Sequence, residues 1–354
     1  MQHHHIMEAV EQTFQDVCDC DRPFGGVSFV FGGDFQQILP VIIKGSRGQT
    51  VGACIQHSTL WSSITVLHLH QNMCLNTAIP SERQFAQWQL EVGQGMHTDE
   101  DGNIFVPDHM KCIVNSVDCL LDTIYPGLDD ANLTPEYFSE HTVLSSLNVD
   151  VDALNKVALG RFPGPVKEFH SADLISNSEQ SGGEDPMLQY PVEYLNEINC
   201  SGLPFAKLQL EIGCPLMTLC NLDAANEVCN GSRGILTYCR NRVLEVQLLT
   251  GEHAVSKVFI PHIGNQPTED QVAFKFTRKQ FPVRLCFAMM INKSQGQSVG
   301  HVGLDLRSPV FTNGQFYVEV SRVTARNNIK VIWDSKDREG KTKNIVFKEV
   351  LLKE

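Results

Sequence analysis

The sequence predicts an α/β fold, and three features support this prediction. Apolar residues between positions 6 and 17 recur every three or four residues, which is the period of an amphipathic helix. The apolar run at residues 27–31 is typical of a strand buried on both faces of a parallel sheet. The last third of the chain again combines strands and a helix, with predicted strands at 284–290, 301–306 and 328–333 and a predicted helix across 314–323.

Length and composition indicate a folded, multidomain chain. The 354 residues allow two or three domains, and 42% hydrophobic with 19% charged residues excludes wholesale disorder. No run approaches the roughly 18 apolar residues of a membrane span, and the N-terminus has no apolar signal core. We therefore expect neither a membrane association nor secretion.

The charge is unevenly distributed. The net charge is −13, but residues 271–354 hold 15 Lys and Arg against 7 Asp and Glu. Five basic residues and no acidic one lie between Lys275 and Lys293. This pattern fits a defined groove for a polyanion, and it fits equally well a simple drift of charge between two domains.

The twelve cysteines predict no disulfide framework and no zinc site. They are scattered and form no C-x-x-C pair, so reduced thiols in a nuclear or cytosolic setting are expected. His3, His4 and His5 stand in a row at the start of the first predicted helix, and we expect them to be neither a purification tag nor metal ligands. The sequence thus predicts no resident metal site.

Three blocks of sequence carry a family resemblance. They are GGDFQQILPV at 32–41, INKSQGQS at 291–298 and GQFYVEVSRV at 314–323. In order and spacing they resemble helicase motifs III, V and VI of the Pif-type DNA helicases, a superfamily-one family of 5′-to-3′ polarity. Within that family the chain is most similar to the helicase part of Helitron-like transposable elements. LHQNMCL at 69–75 occupies the place of motif IV.

The resemblance implies a fold and a domain order. It implies a tandem RecA-like (P-loop NTPase) core whose first domain is incomplete, with a small β-rich, SH3-like insertion in the second. Short β-type runs after residue 194 and the polar, acidic stretch at 176–186 agree with this order. The expected boundaries are 1–65 for the end of the first domain, 66–175 and 271–354 for the second, 176–193 for an acidic linker and 194–270 for the insertion.

The resemblance also implies a nucleotide site. Such a motor needs a group that senses the γ-phosphate and cations that stabilise charge in the transition state. By resemblance Gln37 is the sensor and Arg322 an arginine finger, and both are candidate catalytic residues. The other expected ATP contacts are Gly33, Asp34, Gln295 and Gly296. Taken singly, Gln37 could be a solvated turn residue, and Arg322 could pair with a local carboxylate such as Glu319.

A DNA site is implied in the same way. Lys293 and Ser294, in a tight turn, are expected to contact the DNA backbone, as are Asn148 and, in the β-rich insertion, Arg233. Lys293 could instead simply face water. The expected partners are single-stranded DNA and duplex junctions, and the expected compartment is the nucleus, with the mitochondrion as the alternative.

Departures from the family pattern limit what the chain is expected to do. No G-x-x-x-x-G-K-[ST] occurs, because Ser335 stands where the GKT at 340–342 would need its first glycine. In the family that loop and the Asp-Glu magnesium site precede the segment beginning at Met1. ATP and Mg²⁺ are therefore cofactors by resemblance alone, without metal carboxylates. Four further departures stand at Cys74, Leu147, Cys220 and Met290.

These departures predict a helicase fragment unable to unwind DNA by itself. Loss of an arginine finger at Cys74 alone would slow phosphoryl transfer by a factor of about 10³–10⁵. The chain would then be a decaying transposon-derived copy or a gene product lacking its first exon. The alternative, from another class of protein, is a non-catalytic module that binds single-stranded DNA. A product that misfolds is a third possibility.

Overall fold

The computed structural model describes residues 2–69, 72, 79–130, 133–175, 190–200, 202–249, 251, 254–267, 272, 274–334 and 340–352. Its helices are α1 (His4–Cys18), α2 (Arg47–Gly52), α3 (Pro80–Gly93), α4 (Val117–Ile124), α5 (Pro135–Glu140), α6 (Asn148–Arg161), α7 (Val192–Glu197), α8 (Ile291–Ser294) and α9 (Gln315–Val320). Short 3-10 turns lie at Pro23–Gly26, Ile55–His57, Thr59–Ser63, Asp108–Met110, Arg326–Asn328 and Lys348–Val350. Over the described residues, no helix is long and apolar enough to cross a bilayer.

The strands of the described chain are short and numerous. They are β1 (Asn103–Phe105), β2 (His141–Ser145), β3 (Lys167–His170), β4 (Ala172–Ile175), β5 (Lys207–Leu210), β6 (Pro215–Thr218), β7 (Arg233–Arg240), β8 (Val243–Leu248), β9 (Lys257–Pro261), β10 (Ile263–Asn265), β11 (Phe276–Gln280), β12 (Val283–Leu285), β13 (Ala288–Met290), β14 (His301–Leu306), β15 (Ile329–Trp333) and β16 (Lys341–Lys343).

The chain divides into two compact units. Unit 1 comprises Met1–Leu120, Leu144–Leu147 and Met290–Glu354, and unit 2 comprises Leu121–Val143 and Asn148–Met289. The domain boundaries expected from the sequence are a different division, based on family order, and they stay a prediction. The acidic linker at 176–193 lies largely outside the described residues, as does Cys74.

Unit 1 is built around a parallel strand pair. β14 and β15 run parallel, with Val302 opposite Ile329 and Leu306 opposite Trp333. All residues of β14 after His301 are buried, as expected for a strand covered on both faces. α9 is buried along its whole length, and Gln89 of α3 donates to the carbonyl oxygens of Val320 and Val323 at its end, at 2.5 and 3.1 Å. These contacts satisfy carbonyl groups that a helix end leaves open.

The first helix is attached to unit 1 more loosely. α1 has an apolar face, and the edge of the Phe14 ring meets Phe29 at 4.8 Å between centroids, with Phe24 stacked on the same Phe29 at 4.5 Å. The backbone N–H of His4 donates to the Ala53 carbonyl at 2.9 Å. None of the fifteen residues of α1 is buried. Its packing therefore contributes little hydrophobic stabilisation.

Unit 2 is dominated by antiparallel sheets. Five strands form one sheet in the order β12-β6-β7-β8-β9, with a bulge between Leu236 and Tyr238. A second sheet has the order β10-β11-β4, and β3 pairs with β5. The prediction of a β-rich module after residue 194 is thus correct, although β12 joins its sheet from beyond the expected end at residue 270.

Most predicted elements of the last third are confirmed. The strands at 301–306 and 328–333 match β14 and β15, and the helix is shorter than predicted, at Gln315–Val320. The predicted strand at 284–290 is two strands, β12 and β13. The GKT at 340–342 leads into strand β16, which pairs with β1, and Thr342 is buried there.

The predicted strand at 27–31 is wrong. These residues have no strand pairing, and Val30 is 96% exposed. A strand of this kind needs neighbouring strands on both sides. Among the described residues before Asn103 the structure contains none. Phe29 and Phe31 pack on Phe24 instead, so the apolar run forms a small aromatic cluster.

Candidate functional site

Asp34 shapes the loop that carries Gln37. Its Oδ1 accepts from the backbone N–H of Gln36 at 2.9 Å, and its Oδ2 accepts from Gln37 Nε2 at 3.2 Å. The Gln37 N–H also donates to the Asp34 carbonyl, at 3.2 Å. An aspartate that bonds its own backbone two residues on is a standard turn former. The Gln37 side chain is thereby fixed on one side.

The other side of Gln37 meets the second sequence block. Gln295 Nε2 donates to Gln37 Oε1 at 3.0 Å, although the two residues are 258 positions apart. Both side chains are half-buried. The predicted sensor and the predicted ATP contact at Gln295 are therefore neighbours in the structure.

The third block joins the same loop through Gly314. This glycine has φ +72°, and a Cβ there would lie 2.4 Å from the Gln36 carbonyl oxygen and 2.6 Å from that of Gln37. Asn313 donates from Nδ2 to the Gln37 carbonyl at 3.2 Å, and its Oδ1 accepts from Phe347 N–H at 2.6 Å. Only glycine satisfies both the left-handed backbone and the close approach.

Gln315 is a residue that the sequence analysis missed. Its side chain is fully buried, and its Oε1 accepts from the backbone N–H groups of Phe311 and Thr312 at 2.9 and 3.1 Å. Its Nε2 donates to Asn292 Oδ1 at 3.2 Å, which ties α9 to α8. Both residues lie inside the recognised blocks at 291–298 and 314–323, and that position was the one signal in the sequence that could have drawn attention to them.

Arg322 holds the turn after α8. Its Nη1 donates to the Gln297 and Ser294 carbonyl oxygens at 2.7 and 3.3 Å, its Nε to the Val318 carbonyl at 2.8 Å and its Nη2 to Ser321 Oγ at 2.8 Å. The side chain is 8% exposed, and burial lowers the pKa of its guanidinium. In this conformation the guanidinium clamps backbone carbonyls and does not pair with Glu319. Its role as an arginine finger stays a prediction.

The turn at 293–296 presents a mixture of accessible and buried groups. Lys293 is exposed, whereas Ser294 is 2% exposed and its hydroxyl donates to the Ile291 carbonyl at 2.7 Å. Gly296 has φ +81°, and a Cβ there would meet no other atom within 4 Å. A Cβ on Gly33 would likewise meet nothing. The space beside these two glycines leaves backbone N–H groups approachable by an anion.

Glu319, in α9, is a buried acid whose carboxyl group has no hydrogen-bond partner. Its side chain is completely buried, and neither carboxyl oxygen has a hydrogen-bond partner. Burial, and then the neighbouring Asp305 carboxylate, raise its pKa well above the usual value. A buried acid without a cation is stable only when it carries its proton.

The structure corrects the interpretation of Arg233 as a phosphate contact. Arg233 is 2% exposed, and its Nη2 donates to the carbonyl oxygens of Phe138 and His141 at 2.8 and 3.2 Å. Its guanidinium thus supports the interior of unit 2. Asn148, by contrast, is exposed at the first residue of α6, where its DNA contact stays a prediction.

The basic segment between Lys275 and Lys293 is also less available than its charge suggests. Arg278 is fully buried against Asp173, with Nη2–Oδ2 at 2.7 Å. Arg284 lies over the Phe205 ring at 4.5 Å and donates to the Leu203 carbonyl at 2.9 Å. Two of the five cations therefore stabilise unit 2. The charge count alone overestimated the surface open to a polyanion.

The departures from the family pattern have ordinary structural environments. Leu147 is 41% exposed, Met290 precedes the first residue of α8, and burial raises the pKa of the half-buried Cys220 thiol. The consequences expected from these substitutions stay predictions.

The expected cofactors fit the described residues unequally. The amides of Gln37 and Gln295 and the open backbone at Gly33 and Gly296 are suitable partners for phosphate oxygens. Magnesium requires oxygen ligands, usually one or two carboxylates. Among the described residues, the one close group of three or more potential ligands is His3, His4 and His5. Magnesium therefore stays a cofactor by resemblance alone.

Comparisons with known proteins agree with the motifs. Residues 1–103 match the family model of PIF1-like helicases, and residues 193–238 match that of the 2B domain of the DNA helicase Pif1. The ATP-dependent DNA helicase PIF1 of Homo sapiens is 27% identical over 330 residues, which cover 92% of this chain and 44% of the relative. The Pif1 helicase of Bdellovibrio bacteriovorus is 31% identical over 339 residues, covering 92% and 62%.

Solved structures show the same fold. The Bacteroides Pif1 helicase in complex with ADP-AlF3 and single-stranded DNA superposes with a TM-score of 0.60 and 20% identity, covering all of this chain and 71% of that one. The forked-DNA complex of two Pif1 helicases also has a TM-score of 0.60, at 19% identity, covering 99% and 69%. The chain spans about half the length of the vertebrate relatives it matches.

The fold is that of the solved Pif1 helicases, a mixed α/β fold with a RecA-like core. More narrowly, the chain is similar to the Pif-type DNA helicases over the matched residues 1–103 and 193–238.

Proposed function

We propose that this chain supplies part of an ATP-dependent DNA helicase of 5′-to-3′ polarity, from the Helitron-like branch. Its substrates would be single-stranded DNA and duplex junctions, and its setting DNA repair, recombination, replication, telomere maintenance or transposition. The nucleus is the proposed compartment, with the mitochondrion as the alternative. The observation that carries the proposal is the hydrogen bond between Gln37 and Gln295, since it joins the predicted phosphate sensor to the predicted DNA turn.

The contacts around that bond give a physical route for coupling. Gln37 is held by Asp34 on one side and by Gln295 on the other. The turn that contains Gln295 is held in turn by Arg322. A phosphate that accepted from Gln37 Nε2 would replace the bond to Asp34, and the resulting movement of the amide would change its Oε1 contact with Gln295. Through that change the position of Lys293 and Gly296 would respond to the nucleotide.

We propose further that the residues of this chain do not turn over ATP by themselves. They contain no G-x-x-x-x-G-K-[ST], the loop that holds the β- and γ-phosphates in P-loop NTPases. The alternative function, a non-catalytic module for single-stranded DNA, is favoured by Arg322, whose guanidinium is occupied by protein carbonyls. Exposed Lys293 and open Gly296 support DNA binding under either hypothesis.

Two assays on the full chain separate these functions. ATP hydrolysis is measured with and without single-stranded DNA, for the wild type and for Gln37→Ala and Arg322→Ala variants whose folding is checked by circular dichroism. Stimulation by DNA that both variants lose would favour the enzyme. Turnover at background level, with binding to a fluorescent oligonucleotide that weakens as salt rises, would favour the module.

A matched pair of variants locates the binding surface. Lys293→Ala should weaken binding to the oligonucleotide and lower the salt dependence by about one released ion. Lys348→Ala, which removes another exposed lysine of unit 1, should leave both unchanged. Equal effects of the two variants, or no binding by the wild type, would contradict both functions.

A further inference from the structure

Three consecutive imidazoles gather at the start of α1. The candidate ligand atoms of His3, His4 and His5 all lie within 4.8 Å of one another. The rings of His3 and His5 are stacked at 4.5 Å between centroids, and those of His4 and His5 are 4.0 Å apart. The sequence led us to expect no ligands here, because three adjacent side chains on a helix normally diverge.

Glu8 orients two of these imidazoles. His4 Nδ1 lies 3.0 Å from Glu8 Oε1, and His5 Nδ1 lies 3.0 Å from Glu8 Oε2. A carboxylate accepts, so each Nδ1 carries the hydrogen and each Nε2 keeps its lone pair. A carboxylate behind the ring is the usual outer partner of a metal-bound histidine.

The carboxylate is itself anchored, and the third ring is accessible. Ser58 Oγ donates to Glu8 Oε1 at 2.6 Å, from a segment fifty residues away in the chain. His3 Nδ1 accepts from the backbone N–H of His5 at 3.2 Å, so its lone pair is engaged there and ligation by this nitrogen has to replace that hydrogen bond. The His4 side chain is 14% exposed and that of His5 71%, so an ion can enter from solvent.

We propose that His3, His4 and His5 bind one divalent transition-metal ion, Zn²⁺ in the first instance, with Glu8 and Ser58 as the outer support. Imidazole nitrogen is a preferred ligand of Zn²⁺, Cu²⁺ and Ni²⁺, and Zn²⁺ accepts three protein ligands with water in the fourth position. Tetrahedral Zn–N bonds of about 2.0–2.1 Å require nitrogens roughly 3.3 Å apart, so the rings must close slightly on binding.

Charge at the site acts in both directions. The N-terminus of a helix carries a partial positive charge, which opposes a cation. The Glu8 carboxylate, shared by two of the rings, offsets this effect. Glu8→Gln is therefore the most informative single change, because it removes the charge of Glu8 and keeps its size. The metal affinity of a random cluster of surface histidines would not depend on that charge.

The test uses the full chain without an affinity tag. ZnCl₂ is titrated by isothermal calorimetry into the wild type and into Glu8→Gln, His5→Ala and His97→Ala variants. His97 is the matched control, because its Nε2 also pairs with a glutamate, Glu91 at 2.6 Å, but outside the cluster. The wild type should bind one Zn²⁺, Glu8→Gln should bind about 10–100-fold more weakly, and His5→Ala more weakly still.

A second measurement keeps the proposal falsifiable if a variant unfolds. Co²⁺ added to the wild type should give the visible absorption of a four-coordinate site, and Zn²⁺ should displace it. Absence of one-to-one binding would overturn the proposal. So would Glu8→Gln binding as tightly as the wild type, or His97→Ala losing as much affinity as His5→Ala.

Discussion

Two buried polar clusters, one in each unit, differ in how fully their groups are paired. In unit 2 Arg278 uses every nitrogen, with Asp173 as its counter-charge and the carbonyl oxygens of Ile198, Pro204 and Leu195 as further acceptors. In unit 1 the nitrogens of Arg322 are also all paired, but the nearby Glu319 side chain in α9 has no hydrogen-bond partner. The first cluster therefore stabilises its unit as it stands, whereas the second contains a destabilising group that substitution could remove.

The largest effect is expected from breaking the paired cluster. Asp173→Ala leaves the fully buried Arg278 guanidinium without its counter-charge, and such a change typically destabilises by about 3–5 kcal/mol. Urea unfolding followed by circular dichroism measures this loss. Lys279→Ala is the control, because it removes an exposed cation from β11, the strand that carries Arg278. It should change the free energy of unfolding by less than about 0.5 kcal/mol. A loss below about 1 kcal/mol in Asp173→Ala would show that the pair is not what stabilises unit 2.

The next effect concerns the backbone of the unit 1 junction. Gly314→Ala forces a left-handed residue and a close contact with the Gln36 carbonyl, which together should destabilise by about 2–3 kcal/mol. Gly33→Ala is the matched control, since its Cβ would enter open space and its φ is not positive. Equal stability of the two variants in the same urea titration would mean that α9 does not depend on this close approach.

The unpaired acid should respond in the opposite direction. The pKa of Glu319 is raised in the folded chain, so the folded state binds its proton more tightly than the unfolded state does. Stability from this group is therefore complete at pH values below about 4.5 and is lost as pH rises toward the folded pKa. Glu319→Met should gain about 1–2 kcal/mol at pH 8 and less at pH 5.

The control for this pH effect is Glu100→Met, which replaces an exposed acid of unit 1. Its free energy of unfolding should follow that of the wild type at both pH values. If Glu319→Met is less stable than the wild type at pH 8, the carboxyl has a favourable partner in solution, and the contrast between the two clusters disappears.

The smallest effect is expected for the coupling between the Gln37 and Gln295 side chains, which joins the first two sequence blocks. A double-mutant cycle with Gln37→Ala and Gln295→Ala should give a coupling of about 0.5–1.5 kcal/mol, the usual value of one hydrogen bond. Gln297 donates to the Lys293 carbonyl instead of to Gln37, so the corresponding cycle with Gln297→Ala should give a coupling near zero. A coupling near zero for Gln37 and Gln295 would remove the main support for the proposed function.

Local patterns predicted the fold where the decisive contacts are local. The apolar runs of β14 and β15 and the period of α1 were sufficient for those elements. Residues 27–31 have the same apolar character, yet they form no strand, because strand formation depends on partners that a single run does not encode. The short apolar runs predicted the β-rich module. They could not predict that β12 belongs to its sheet, because that depends on the pairing of β12 with β6.

The site was predictable to the level of blocks and not of side-chain roles. In the structure the three blocks meet, because Gln295 bonds Gln37 and Arg322 bonds the Ser294 carbonyl, whereas the predicted roles of these residues stay predictions. Burial decided the roles of the other side chains. Arg233 and Ser294 are buried in their units, and Gln315 matters because its side chain accepts hydrogen bonds from backbone N–H groups. Sequence records that an arginine is present, whereas its packing decides whether the guanidinium meets a carbonyl or a phosphate.

Because no residue of α1 is buried, this helix is expected to unfold locally more readily than α9. A helix without one buried residue can detach from its neighbours without disturbing the interior, while α9, buried at every position, cannot. Amide deuterium uptake should therefore be complete in α1 long before it begins in α9. Within the described part of the chain, a protease should then cut the segment at 19–23, just after α1, before it cuts beside α9.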